Sequence, residues 1–158
     1  MMVTFACAAA MVLGLTAMNG TAEATPKNGI LKGNPSNKVL ASEFLLLLKA
    51  KNQNGLKRFL DDDFILQRTT EYLNKKEYLE NPSIVDAYKV RGIVAIRKST
   101  NVRIIRFEAE TTQLINGEPV AGGWLPRLST FVKDKKSGAW KLVAHANDAF
   151  SFELHFDH

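Results

Sequence analysis

The second half of the chain opens with two long runs rich in β-branched residues, IVDAYKVRGIVAI at 84–96 and VRIIRFEAETTQL at 102–114. β-Branched and aromatic residues favour strands, and neither run contains a proline. Gly92 interrupts the first run, which is typical of a bend or bulge in a strand. The two runs therefore predict a pair of long strands, the first of them bent.

The chain continues in the same pattern after these runs. Asn116-Gly117 is the strongest hairpin signal in the sequence, because both residues tolerate the positive φ angles of a tight turn. Two more strand-like runs follow at 120–132 and 139–147, separated by a lysine-rich turn that closes at Gly138. We expect a meander of long antiparallel strands.

The helices are predicted before the strands. Helical spacing relates Val39, Leu40, Phe44, Leu47 and Leu48, and we place Lys38, Glu43, Lys49 and Lys51 on the opposite side. Gly55 is expected to cap this helix in the left-handed conformation. A second short helix is predicted from Leu56 to about Leu60. The carboxylates of 61–63 are expected to stop it and form a solvated turn.

A strand at 64–69 and a third short helix complete the prediction for the first half. Asn74 can cap that helix, and Glu77 three residues later completes a capping box. Helices followed by long strands predict an α+β fold, in which N-terminal helices pack on one face of a curved antiparallel sheet.

The N-terminus has the pattern of an export signal. An apolar run at 5–18 ends in small residues before Thr25, so we predict a signal peptide at 1–24 and a secreted or periplasmic protein. A flexible arm is predicted at 25–37, one domain at 38–150 and a tail at 151–158. Cys7, the single cysteine, falls in the predicted signal, so no thiol chemistry is expected in the mature chain.

Charge and motifs exclude several function classes. The formal net charge is +5, but lysine and arginine are spread along the chain without interleaved aromatics, so no nucleic-acid partner is predicted. No membrane association is expected after signal cleavage. Phosphate-binding loops, nucleophile elbows and zinc patterns are missing from the sequence. We predict no metal and no cofactor.

Four short sequence motifs resemble those of the nuclear transport factor 2-like superfamily, and within it those of the SnoaL-like proteins and neighbouring small bacterial domains of unknown function. They are LDDDF at 60–64, KEYL at 76–79, PRLSTF at 126–131 and GAWKLVAHAN at 138–147. The resemblance implies a cone-shaped, cystatin-like domain with a pocket at the open end of the sheet. Its members include isomerases, dehydratases, cyclases, epoxide hydrolases and binding modules, so the fold does not name the function.

Two residues are candidates for chemistry in such a pocket. His145 is the only histidine inside the predicted domain and could act as a general acid or base, although a structural role is the commoner one for a lone histidine. Arg127 could bind an anionic or carbonyl group, or it could form an ion pair with Glu108 or Glu110 on the preceding strand. On the last strand, alternation groups Trp140, Leu142, Ala144 and Ala146 on a packing face, with His145 on the other.

Candidate ligand contacts are Trp124, Ser129, Tyr88 and Glu108. The expected ligand is a small apolar or anionic molecule. The ketosteroid-isomerase arrangement of aspartates and tyrosine is not matched, so we do not expect that activity. Two functions stay open: an exported small-ligand-binding domain, or a cyclase-, isomerase- or dehydratase-type enzyme using His145 and Arg127. A homodimer through the outer face of the sheet is also expected.

The predicted signal peptide is testable by processing. Protein recovered from the exporting cell should begin at or near Thr25, because Ala22-Glu23-Ala24 has the small-x-small form that a signal peptidase accepts. N-terminal sequencing checks this. A secreted form that starts at Met1 or Phe5 would contradict it.

Overall fold

The computed structural model describes residues 28–68, 71–120 and 122–147. The predicted signal peptide and C-terminal tail lie outside the described residues. In chain order the elements are β1 (Leu31–Lys32), α1 (Asn37–Lys49), α2 (Gln53–Phe59), β2 (Leu60–Gln67), β3 (Tyr72–Asn74), α3 (Lys75–Glu80), β4 (Ile84–Lys98), β5 (Val102–Ile115), β6 (Glu118–Val120), β7 (Trp124–Lys133) and β8 (Ala139–Ala146).

The strands form one curved sheet in the order β3-β2-β8-β7-β5-β4. The predicted α+β architecture, with helices on one face of a curved sheet, is confirmed. One feature differs from the prediction. β2 runs parallel to β8, so the sheet is mixed rather than purely antiparallel. A parallel neighbour is possible because the long path through α3, β4, β5 and β7 separates the two strands in the chain.

Local signals account for several boundaries. Asn74 and Glu77 form the predicted capping box at the start of α3. Asn116 and Gly117 both have positive φ angles, 52° and 83°, as the predicted hairpin requires. Gly92 lies at a register shift in β4 with φ 59°, which confirms the predicted bend. The run at 120–132 is split between β6 and β7.

Two local predictions in the first half are wrong. Lys51, with φ 50°, takes the left-handed position after α1, and Gly55 lies inside α2. Gly55 is needed there for space, because a Cβ would come within 2.7 Å of Leu47 Cδ2. The carboxylates of 61–63 do follow the helix, but they belong to β2 and not to a turn. Pairing of β2 with β8 outweighs their low strand propensity.

The segment before α1 is also more ordered than predicted. Leu31 is buried and pairs with Trp140 of β8, although a flexible arm was expected at 25–37. The indole Nε1 of Trp140 donates to the carbonyl of Gly33 at 3.2 Å. Tertiary contacts hold this segment in place, and its own composition contains no signal for them.

The core lies between α1 and the concave face of the sheet. The largest fully buried side chains include Phe59, Phe64, Tyr78, Phe107, Phe131 and Trp140. Phe44 of α1 packs against two of these rings, with centroid distances of 6.3 Å to Phe64 and 5.7 Å to Tyr78. The helix therefore lies across the sheet and covers its inner face.

The outer face of the sheet carries apolar side chains that nothing in the described structure covers. Ile65 is 50% exposed and Leu128 is 41% exposed, on strands that flank β8. Ile104 and Val132 are half-buried on this face, while their neighbours Ile105 and Phe131 are buried in the core. This apolar surface supports the expected homodimer, which stays a prediction.

Charged residues on this surface should dissociate the expected homodimer. We expect Ile65→Lys combined with Leu128→Lys to give a monomer in light scattering at micromolar concentration, because two lysines cannot be desolvated in an apolar interface. Ile30→Lys is the control, since Ile30 is 42% exposed but lies outside the sheet. A wild-type chain that is already monomeric would contradict the prediction.

Candidate functional site

A bulge in β8 brings His145 to the interior. Thr130 pairs with Ala144 and Phe131 pairs with Leu142, so Val143 is the extra residue between them. One extra residue reverses the alternation of side chains along a strand. His145 therefore shares the inner face with Trp140 and Leu142, and the predicted grouping of these residues on opposite faces is wrong.

His145 lies in a closed cluster of aromatic and hydroxyl side chains. Its side chain is 1% exposed, and Nδ1 shares a hydrogen bond of 2.7 Å with the hydroxyl of Ser129. The imidazole lies 4.8 Å from the Phe44 ring and 6.3 Å from the Phe107 ring, between centroids. Nε2 has no hydrogen-bond partner among the described residues.

This environment keeps His145 neutral. Burial is the main cause, with the nearby charge of Arg127 second, and together they lower the pKa of His145 to about 3, while the side chain of Asn147 acts in the opposite direction. The sequence-based expectation was a histidine that titrates around neutrality. Near pH 7 the imidazole is available as a hydrogen-bonding group and a weak base, but not as an acid.

Arg127 lies on the same inner face as His145. It is 3% exposed and sits opposite Phe107 in the register of β5 and β7. The ion pair expected with Glu108 or Glu110 does not form, because those carboxylates point to the outer face. There Glu108 accepts from Arg91 at 2.6 Å and Glu110 accepts from Lys89 at 2.8 Å.

The predicted ligand contacts divide between the two faces. Ser129 is buried in the His145 cluster, and Tyr88 is half-buried on the inner side of β4. Trp124 and Glu108 lie on the outer face, where the guanidinium of Arg91 stacks 4.2 Å above the Trp124 ring. The structure brings Ser129, Arg127 and His145 together, and it does not bring Trp124 or Glu108 to them.

Glu43 is buried in the interior, although we predicted it on the side of α1 opposite the apolar residues. Its carboxyl is 1% exposed, and Oε1 has no hydrogen-bond partner in the part of the chain that the structure describes. Burial raises its pKa to about 7. The burial of Glu43 could have been predicted from its spacing. Glu43 follows Leu40 by three residues and precedes Leu47 by four, so all three share one helix face.

Tyr88 of β4 is electrostatically coupled to Glu43. Burial and the Glu43 carboxylate both raise the pKa of the Tyr88 phenol. Tyr88 also lines a cavity of about 220 Å³ together with Thr111 and Gly122. The interior thus has a carboxyl and a phenol on its β4 side and an imidazole, a hydroxyl and a guanidinium on its β7–β8 side.

A further polar cluster ties the end of β2 to the start of β4. The guanidinium of Arg68 forms an ion pair with Glu71 and donates to the hydroxyl of Ser83 at 3.1 Å. Burial raises the pKa of the neighbouring Tyr78 to about 12, against the opposing effect of its hydrogen bond to Ser83. These groups bind one another, which is typical of a structural network, although Arg68 Nε has no hydrogen-bond partner among the described residues.

The described residues include no group of three or more histidine, cysteine, aspartate or glutamate side chains that could hold a metal ion. None of the helices in the described part of the chain is long and apolar enough to span a membrane.

The raised pKa of Glu43 predicts a pH-dependent stability. The folded carboxyl binds its proton more tightly than the unfolded one, so stability is full below about pH 4.5 and falls as pH rises to about 7. As the pH rises through this range, Glu43→Gln should therefore gain about 3 kcal/mol of stability relative to the wild-type chain. The depressed pKa of His145 acts in the opposite direction, between about 3 and 6.5, and cancels in the comparison because both chains contain it.

Urea unfolding of both chains at pH 4.5 and pH 7.5 measures this difference. Glu80→Gln is the matched control, because Glu80 is exposed on α3. Parallel pH profiles for the wild-type chain and Glu43→Gln would show that the carboxyl is not buried as described.

Comparison with known proteins finds the same fold in several solved structures. No protein-family model matches the chain, and no curated protein sequence matches it either. A nuclear transport factor 2-like protein from Cytophaga hutchinsonii aligns with a TM-score of 0.62 at 15% identity, over 72% of this chain and 97% of that one.

A nuclear transport factor 2-like protein of unknown function in nutrient uptake from Rhodospirillum rubrum aligns with a TM-score of 0.62 at 19% identity, over 71% of this chain and 96% of that one. A protein from Parabacteroides distasonis, assigned only provisionally as a ketosteroid isomerase, aligns with a TM-score of 0.55 at 10% identity. The alignment covers 75% of this chain and 94% of that one. At these identities the likeness concerns the fold alone. The chain has the nuclear transport factor 2-like fold.

Proposed function

We propose that the domain binds a small molecule in the interior of the cone, between α1 and the inner face of β5, β7 and β8. One observation carries this proposal: polar side chains are buried on the inner face, where a protein of this size needs apolar ones for its core. Those less than a tenth exposed are Glu43 on α1, Thr111 and Gln113 on β5, Arg127 and Ser129 on β7 and His145 on β8, with Arg103 at the turn end of the same face.

Stability alone does not account for these residues. Burying a polar group costs free energy unless a hydrogen bond compensates it, and an unsatisfied buried group costs about 1–3 kcal/mol. Glu43 Oε1 has no such bond among the described residues. A ligand, or the water that it displaces, would supply the missing partners. Unfavourable buried groups of this kind are characteristic of binding sites.

The side chains indicate the chemistry of the ligand. Arg127 provides a permanent positive charge, and Ser129 and neutral His145 provide hydrogen bonds beside it. Phe44 and Phe107 provide apolar walls. A molecule with an apolar body and a carboxylate or carbonyl oxygen fits this combination. Export of the protein is part of the same proposal and rests on the N-terminal sequence.

An enzyme is the second candidate, and one observation favours it. Proton transfer at neutral pH needs a group whose pKa lies near 7. Glu43 has such a pKa, whereas His145 does not. If the domain catalyses an isomerisation, dehydration or cyclisation, we infer that the Glu43 carboxyl moves the proton and that His145 and Arg127 orient the substrate.

The binding proposal predicts a ligand that depends on Arg127. Native mass spectrometry of the full chain should find a co-purified small molecule, and Arg127→Met should lose it, because methionine keeps much of the side-chain volume and removes the charge. Arg106→Met is the matched control, since Arg106 is exposed on the outer face of the adjacent strand. Equal retention by both variants would overturn the role of Arg127.

His145→Asn separates binding from folding. Asparagine keeps one hydrogen-bonding group near Ser129 but removes the imidazole. Loss of the ligand with an unchanged melting temperature supports a binding role for His145. A large drop in melting temperature instead assigns His145 to the structural core, and the ligand measurement on Arg127→Met then decides whether the interior binds at all.

A further inference from the structure

A second cavity lies at the end of the sheet where the β4–β5 and β7–β8 turns meet. This turn-end cavity has a volume of about 530 Å³. Its lining includes the cations Lys98, Arg103 and Lys133, the hydroxyl residues Ser99 and Thr100, and the ring of Trp140. No carboxylate is among the described residues that line it. The lining is thus positive and rich in hydrogen-bond donors.

The strand register places two of these cations directly opposite each other and ties the third to the same turns. Lys98 of β4 pairs directly with Arg103 of β5, and Lys133 of β7 pairs with Trp140 of β8. The backbone amide of Lys133 donates to the carbonyl of Asn101 at 2.8 Å, which joins the two turns. Like charges directly opposite each other destabilise a sheet. An anion between them would remove that cost.

Arg103 is the buried part of this cavity. It is 2% exposed, its guanidinium donates to the carbonyl of Pro35 and the side chain of Asn34, and it lies 4.8 Å from the Trp140 ring. Its Nε has no hydrogen-bond partner in the described structure. Burial lowers the pKa of Arg103, since no carboxylate offsets the desolvation of its charge.

Four cations elsewhere in the described chain form ion pairs with carboxylates, and the turn-end cavity contains none of them. Lys75 binds Asp62, Lys89 binds Glu110 and Arg91 binds Glu108. A cavity of about 550 Å³ between α2 and α3 also carries three lysines, but Asp62 and Glu80 line it as well. The turn-end cavity therefore differs from the α2–α3 cavity in having no carboxylate in its lining.

We propose that the turn-end cavity binds a tetrahedral oxyanion, the phosphate group of a small molecule or of a lipid headgroup, between Lys98, Arg103 and Lys133. The volume is in the range of small-molecule sites and exceeds what one phosphate needs, so it leaves room for the group that carries the phosphate. This site lies at the Trp140 end of the inner face, and it is independent of the function proposed for the interior.

Titration of the full chain with inorganic phosphate, followed by nuclear magnetic resonance at constant ionic strength, tests the proposal. The indole N–H of Trp140 is the reporter, because its ring lies under Arg103 and its N–H binds the segment that lines the cavity. We expect saturable shifts of this signal and of the amides of the two turns. Chloride at the same ionic strength should not produce them.

The double variant Lys98→Ala with Lys133→Ala should weaken phosphate binding by more than about tenfold, which corresponds to about 1.4 kcal/mol for the two charge-assisted contacts together. Arg103 is left intact because it also holds the N-terminal segment. Lys57→Ala with Lys76→Ala, two exposed lysines in the α2–α3 cavity, is the matched control and should bind phosphate like the wild-type chain.

Co-sedimentation with phosphatidylglycerol vesicles, against phosphatidylcholine vesicles, identifies the source of the phosphate. Binding that the Lys98/Lys133 variant loses assigns the cavity to a lipid headgroup. Saturable binding of free phosphate without vesicle binding assigns it to a soluble phosphorylated molecule. Absence of both, or equal phosphate binding by the wild-type chain and the Lys98/Lys133 variant, overturns the proposal.

Discussion

Burial of α1 against the concave face of the sheet is the constraint on which the rest of the structure depends. The helix and the sheet exclude water from most side chains between them, polar and apolar alike. Phe44 gains from this exclusion because it packs against Phe64, Tyr78 and His145. Glu43, one residue earlier, loses its hydration by the same contact. The same packing therefore builds the core and produces the unusual electrostatics of the candidate site.

Burial shifts the pKa values of Glu43 and His145 in opposite directions, and in both cases it favours the neutral form. It favours the neutral carboxylic acid of Glu43 and the neutral imidazole of His145, so both lose charge relative to their exposed states. Arg127 keeps its charge because guanidinium does not titrate in this range. The described interior thus holds neutral polar groups beside the positive charge of Arg127, in surroundings where electrostatic interactions are stronger than in water.

Polarity is distributed unevenly along the inner face. Near the turns, Arg103 is held between Trp140 and the segment before α1, and that segment is structured because these two residues bind it. Further along the strands the inner face carries Ser129, Arg127 and His145. A single apolar core containing Phe107 and Phe131 separates these polar regions. One curved sheet can therefore present two chemically distinct sites, which is consistent with the variety of functions on one fold.

Local sequence patterns were sufficient for the α+β class, the bend at Gly92, the Asn116-Gly117 turn and the capping box of α3, because short-range sterics and hydrogen bonds produce each of them. The side of the sheet that each residue faces was decided by the tertiary structure. His145 reaches the interior through a bulge defined by pairing with β7, and β2 joins β8 in parallel across a long separation in the chain. The burial of Glu43 was within reach of its helical spacing, but its pKa depends on the sheet packed over it. Register and burial are properties of the assembled sheet, so the chemistry of the interior was settled by the tertiary structure and not by any single segment.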